Sequence, residues 1–314
     1  MVGVAVSVTV VLEGNSPSQS STHALTPAAL LAVYDRALDR IDTWARARSI
    51  PITFFAVGKD LERIENAAAL RRLMGRGHAI ESHSLSHRYD LTRLTRAEIE
   101  HEVHDGLAAV ERAIGTRPSG FRAPGYTVND ALFDALDDAG ISFDSSVFPS
   151  PFYYAAKASV LAWMHLRGRV SASILDTPAV LLSPRAPYRP SAAWYRPATS
   201  TARTRRFVEL PIQVTPLLGL PVIGTSVGRA GTAGARWLAR ACAGSPLVNL
   251  ELHGMDFVDA ADVAPHPLAA LQPELRAPLA ARLDRLGAFV DELRGRGFSF
   301  TTLAEAAACF ASRT

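Results

Sequence analysis

Cysteine is almost missing from this chain. Its 314 residues hold two, Cys242 and Cys309, far apart and without a metal-ligand spacing. That excludes a disulfide-stapled secreted scaffold and predicts free, buried thiols. Long apolar runs are missing too, since no stretch approaches the roughly 20 residues that span a bilayer. The apolar opening from Val2 to Leu12 has no basic segment before it. No small-residue cleavage site follows in Gly14-Asn15-Ser16-Pro17-Ser18, so the opening does not read as a secretory leader. Its β-branched content predicts a buried first strand instead. There is no glycine-rich phosphate loop, which argues against a nucleotide cofactor. Nor is there a large excess of one charge: the net value is +3, and arginines alternate with acids along the helices. That reads as solvated surface and predicts no nucleic-acid partner. Together these absences predict a soluble, cytoplasmic protein.

What is present is a core. The chain is 48% apolar and 20% charged, a balance that suits a globular fold, and the length admits one large or two small domains. Strand-like runs alternate with helical stripes. Residues 3–12, Ile52 to Val57, His78 to Glu81, 119–122, 141–147, Phe207 to Val214, Leu247 to Leu252 and Phe298 to Thr301 read as strands. Leu31, Tyr34, Leu38, Ile41 and Ala45 mark a first helix, and Leu61 to Met74 a second. Thr95 and Glu98 form a capping box for a third helix, which Gly115 ends. Helices at 130–138, 231–243 and 279–293 follow, with a short alanine-rich one at the end. Repeated strand–helix units predict a parallel sheet with helices outside, most simply a closed or nearly closed barrel. Residues 148–206 break the rhythm and read either as a packed helix with a surface excursion or as a lid over an amphiphilic substrate.

The stretch His83-Ser84-Leu85-Ser86-His87 follows the apolar Ala79-Ile80, the pattern of a strand breaking into a loop. Two imidazoles four positions apart converge on one ion if the residues between them curl into a helical turn, and imidazole is the commonest metal ligand. Ser84 stands where zinc peptidases carry glutamate, which argues against a peptidase. Alone, such a pair reads more simply as two loop histidines without an ion. Three further stretches change the balance. Gly77 to His87 resembles the metal-binding motif of the NodB-homology polysaccharide deacetylases, carbohydrate esterase family four. Gly120-Phe121-Arg122-Ala123-Pro124-Gly125 resembles that family's third motif, and Phe143-Asp144-Ser145-Ser146 its fourth. Glu251-Leu252-His253-Gly254-Met255-Asp256 resembles the fifth, where a Leu-His pair carries the catalytic acid. The matches run in the family's order.

The resemblance implies an α/β fold, a distorted (β/α) barrel of about seven strands. It also implies one domain over 1–314 with an insert at about 148–206, and a function: metal-dependent hydrolysis of an N-acyl, typically N-acetyl, amide on an amino sugar. Glu13, His83 and His87 are the expected ligands, with one coordination position left for water as in catalytic sites. Zinc is the first expectation, and cobalt, nickel or iron would suit the same donors. Strand alternation turns positions 11 and 13 the same way. Val11 then stands where the family places the aspartate that deprotonates the attacking water, and a valine there leaves Arg122 without its expected partner. His253 is the expected general acid, with Asp144 orienting it and Asp256 as a second candidate. Pro124, Tyr126, Leu252 and Trp163 are expected against substrate, and a backbone N–H near Tyr126 on the oxyanion. His78, His101, His104, His165 and His266 have no convergent partners and read as structural or surface residues. The implied partner is an N-acylated amino sugar, a glycan or a lipid-linked sugar, the last with peripheral membrane contact. Two rivals remain: an amidase or deformylase acting on a lipid-linked or ring amide, and a carbohydrate- or metal-binding protein that has lost its base.

Overall fold

Strand and helix alternate along this chain because its apolar pattern alternates between continuous β-branched runs and stripes spaced by three and four. The computed structural model describes residues 1–8, 31–169, 171–199, 204–263 and 273–312. Val11, Glu13 and His266, and with them the end of the expected first strand, lie outside the described residues. The strands are β1 (Val2–Val8), β2 (Ile52–Ala56), β3 (Ala79–Ser82), β4 (Gly120–Phe121), β5 (Phe143–Asp144), β6 (Val208–Glu209), β7 (Val248–His253) and β8 (Phe300–Thr301). They form one sheet in the order β6-β5-β4-β3-β2-β1-β7, and every ladder is parallel. β8 pairs only with Val2 and Gly3 of β1, on the edge that β2 leaves vacant before its own pairing begins at Val4.

No ladder joins β6 to β7. The gap is spanned by Gln213 N–H donating to Asn249 O at 3.0 Å. The Asn249 side-chain amide also donates, to Leu210 O at 2.8 Å and Pro211 O at 3.2 Å. The sheet is therefore a half-barrel of parallel strands whose last seam is held by the Asn249 side chain, the Gln213–Asn249 backbone bond and a parallel bridge between Ile223 and Glu251.

The helices lie outside: α1 (Leu38–Arg46), α2 (Ile64–Met74), α3 (Arg96–Ile114), α4 (Asp130–Asp138), α5 (Pro151–Leu166), α6 (Gly224–Arg229), α7 (Gly231–Ala241), α8 (Leu279–Gly295) and α9 (Leu303–Ala311). The expected capping box at Thr95 and Glu98 forms, and Gly115 ends α3 at φ +79°, a conformation a side chain would resist. Three expectations need correction. The segments 119–122, 141–147 and Phe207 to Val214 shrink to two-residue strands. The first helix opens with a π-helical stretch, Val33–Ala37. Of the two thiols only Cys242 is buried, while Cys309 is exposed.

The insert is anchored. Arg205, almost wholly buried, pairs with Asp130 and Asp134 of α4, and Tyr188 exchanges backbone hydrogen bonds with Glu209 of β6. Among the described residues no helix is long and apolar enough to cross a membrane.

Candidate active site

β3 delivers His83 and His87. His83 N–H extends the β2–β3 ladder by donating to Ala56 O at 2.8 Å, and the chain then leaves the sheet. The turn is not helical, contrary to expectation: Ser84 and His87 both have positive φ, +65° and +57°. Helix α3 holds it there. Glu102 accepts from Ser86 N–H at 2.9 Å and from the Ser86 hydroxyl, while Leu85 N–H donates to Glu102 O. Gly106 lets the two backbones meet, since a Cβ there would lie 2.7 Å from Leu85 N. The result still brings the imidazoles together, with ring centroids 4.8 Å apart and both side chains buried. His83 Nδ1 lies 2.8 Å from Arg122 O. A carbonyl only accepts, so Nδ1 carries the hydrogen and Nε2 keeps its lone pair, the arrangement of a ligating histidine. Two such donors fit a borderline divalent cation. Among the described residues no group of three His, Cys, Asp or Glu completes a set, and Glu13 lies outside them.

Arg122, at the end of β4, is fully buried. Its Nε donates to Ser145 O at 2.9 Å and one Nη to Ser145 Oγ at 2.8 Å. Its guanidinium lies 4.4 Å from the Phe55 ring centroid. Burial pulls its pKa down from the usual arginine value, and Glu251, Tyr126, Asp144 and Glu209 oppose that pull. The sequence suggested that Val11 strands this arginine. Three buried carboxyls, Glu251, Asp144 and Glu209, act on it, and its other Nη has no hydrogen-bond partner among the described residues.

Asp144 does not serve His253. Its oxygens accept from Ser146 N–H (3.0 Å) and Ser146 Oγ (2.8 Å), and the Glu209 carboxyl is its electrostatic neighbour. Burial raises the pKa of both, Glu209 far above the carboxylate range because Asp144 adds its charge. Two neighbouring buried carboxyls each disfavour ionisation of the other.

His253 ends β7. Its Nδ1 lies 3.5 Å from Glu251 Oε1, and its Nε2 lies 2.9 Å from the Tyr126 hydroxyl. Asp256 accepts from His253 N–H at 2.9 Å, capping the following turn. Among the described residues Glu251 is the carboxyl beside the imidazole. Sequence reasoning missed it, though the signal was present: in a strand, positions 251 and 253 share a face. The same alternation corrects Leu252, which packs in the apolar core on the helix side.

Pro124 and Gly125 shape the turn that carries Tyr126 at φ +59°, a strained value for an aromatic residue costing about 1–3 kcal/mol. The Tyr126 N–H donates to Ala123 O at 3.2 Å, so in this conformation it does not serve an oxyanion. A shallow cleft of about 10 Å³ lies beside it, lined by Tyr126, Phe148, Tyr153, Tyr154, Lys157 and Asp176 among others. Trp163 is not in it; it stands half exposed on the outer side of α5. His78 is structural as expected, accepting from Ile52 N–H and contacting Asp42.

Comparison with known proteins agrees with this geometry. Residues 33–143 match the family described as polysaccharide deacetylase. The peptidoglycan-N-acetylglucosamine deacetylase of Bacillus cereus (strain ATCC 14579) is 31% identical over 88 residues, 28% of this chain; the match spans 39% of that relative's length. A mutant CE4-family pseudoenzyme with restored enzymatic activity, its wild type from Bacillus anthracis, shares the fold at 13% identity and TM-score 0.50, covering 98% of this chain and 67% of that one. The family 4 carbohydrate esterase from Streptomyces lividans aligns at 13% identity and TM-score 0.46, over 96% and 91% of the two chains. Over residues 33–143, about a third of its length, the chain is thus similar to the polysaccharide deacetylase family, within a parallel α/β barrel.

Proposed function

We propose that this protein is a metal-dependent N-deacetylase acting on an acetylated amino sugar within a glycan. The observation that carries this reading is the placement, at the C-terminal ends of parallel strands, of a histidine pair whose first member is tautomer-fixed and of a separate carboxyl-backed histidine. His83 and His87, with Glu13, would hold the divalent ion, zinc by donor preference. Such an ion supplies Lewis-acid polarisation and a more acidic water. The chain's own groups do the rest. His253 protonates the departing nitrogen, and the Glu251 carboxyl beside Nδ1 stabilises the imidazolium that must precede that transfer. The proton comes from Nε2, so the substrate nitrogen displaces the Tyr126 hydroxyl that occupies that atom in the free protein. Tyr153 and Phe148 offer ring faces, and Lys157, donating to Gly125 O at 3.0 Å, braces the cleft wall.

A second reading, a binding protein with little turnover, draws on Val11 and on the Arg122 Nη that lacks a partner among the described residues. Metal analysis with acetate release from N-acetylglucosamine oligomers separates the two. The deacetylase reading expects about one ion per chain and acetate release, both abolished in His83→Ala/His87→Ala protein. Unchanged metal content in that variant overturns the site, and bound metal without acetate release favours the binding protein.

A further inference from the structure

Seven of the nine large apolar side chains exposed among the described residues lie between residues 152 and 218. Four of them, Phe152, Val160, Trp163 and Leu166, are on α5. With Ala155, Ala156 and Ser159, all exposed, they recur at spacings of three and four and so form one stripe. No charged residue interrupts it. The opposite face turns inward: the Tyr153 ring meets Tyr126 and Phe148, Lys157 reaches Gly125, and Met164 is buried. One helix therefore walls the candidate site with one face and offers solvent an apolar face with the other. At its N-terminal end Ser150 Oγ donates to Gly219 O, which places beside it the turn carrying the exposed Leu217 and Leu218. Arg185 donates to Pro216 O in the same turn. At its other end the Arg167 guanidinium lies 4.6 Å from the Trp163 ring centroid.

Charge is segregated to the same region. Residues 148–206 contain Lys157 and eight arginines against a single acid, Asp176, a balance of +8. The whole chain carries +3, so the remainder carries −5. Arg205 and Arg206 are spent on carboxylates of α4, but Arg167, Arg169, Arg185 and Arg196 are exposed.

We propose that the outer face of α5, with the Leu217–Leu218 turn, docks this protein on the surface of an anionic lipid bilayer. Apolar side chains of this kind enter the boundary between headgroups and acyl chains, and flanking arginines meet lipid phosphates. An anionic polymer in water would use the arginines and leave the apolar stripe exposed. A second copy of the chain would set +8 against +8. Docking places the mouth of the Tyr126–Tyr153 cleft at the membrane surface. The inference stands apart from the deacetylase reading, because binding to lipid is measured without turnover.

The test is co-sedimentation of the full chain with vesicles of phosphatidylcholine alone or of equimolar phosphatidylcholine and phosphatidylglycerol. Expected is binding to the mixed vesicles that weakens with salt, and Trp163 emission that brominated lipid quenches, with that quenching lost in Trp163→Phe. Trp163→Ser/Leu166→Ser should lower partition by at least about tenfold. Arg167→Gln/Arg169→Gln should weaken binding to the mixed vesicles and leave binding to phosphatidylcholine unchanged. All four positions are exposed, so thermal melts should match the parent. Failure to sediment with the mixed vesicles overturns the proposal. So does binding that ignores the apolar double variant and is matched by dextran sulfate. So does a dimer, dissolved by that variant, in a protein that does not bind lipid.

Discussion

The two halves of the sheet are built differently. On one side β1, β2, β3 and β7 run four to seven residues and pair by continuous ladders over an apolar core of valine, isoleucine, leucine and phenylalanine. On the other, β4, β5 and β6 are two residues each, and side chains do the work of the missing ladder. Asn249 spans to Leu210 and Pro211, and Glu209 accepts from Val147 N–H. Ser146 accepts from Ala123 N–H, and Glu81 accepts from Ser119 and Gly120. Short strands free the backbone to bend into the loops that carry Arg122, Tyr126 and Asp144. Arg122, Asp144 and Glu209 are buried in that half, where irregular backbone leaves donors for them to satisfy. The lesson is that the regular half presents the histidines and Glu251 at its strand ends, while the irregular half supplies buried polar residues that are framework as well as surroundings of the site.

The largest expected effect probes where the regular half ends. Val11→Asp should raise acetate release by about 10²–10⁴-fold if it supplies a base. An unchanged rate would show that another group already serves, and a loss of folding would place residue 11 in the apolar core. Next comes Arg122→Met, which strips the counter-charge from Glu251, Asp144 and Glu209. Urea unfolding should report a loss of about 3–5 kcal/mol; a loss below 1 kcal/mol would mean the polar half does not depend on this charge. In the regular half, Leu250→Ala deletes a fully buried side chain of β7 and should cost about 2–5 kcal/mol with no pH dependence.

The smallest effect is the most diagnostic of the contrast. Glu209 is raised by burial and by Asp144, so it favours the folded state below the ordinary carboxylate range, and that contribution is lost as pH climbs through the raised value. Glu209→Gln, which mimics the protonated form, should cost less than about 1 kcal/mol at neutral pH and flatten the decline in stability on the alkaline side. A steeper decline in the variant would contradict the raised value.

The regular half was legible in the sequence because ladders and helix stripes leave periodic traces: the helix from Arg96 with its box at Thr95, Asp130–Asp138 and the strand to Leu252 all fall where the pattern puts them. The irregular half was read too long, since Phe207 to Val214 looks like a strand but pairs as one only at Val208–Glu209. The histidine pair was found from spacing, though its turn proved non-helical. Glu251 and Glu209 were missed for one reason. Their burial is set by neighbours far away in the chain, and a single acid in an apolar run carries no local sign of what it will face.

Gly106 has no functional group and touches no ligand, yet it governs where His83 and His87 stand. Helix α3 meets the histidine loop backbone to backbone there, and even one methyl group would have to push Ser84 and Leu85 aside. A loss of activity caused by Gly106→Ala would therefore look, in a mutational survey, like evidence that α3 binds substrate. It would instead be the signature of a lever: a helix whose distance from the loop sets the aim of two imidazoles. Anyone redesigning α3 for stability inherits that constraint at a residue with no chemistry of its own.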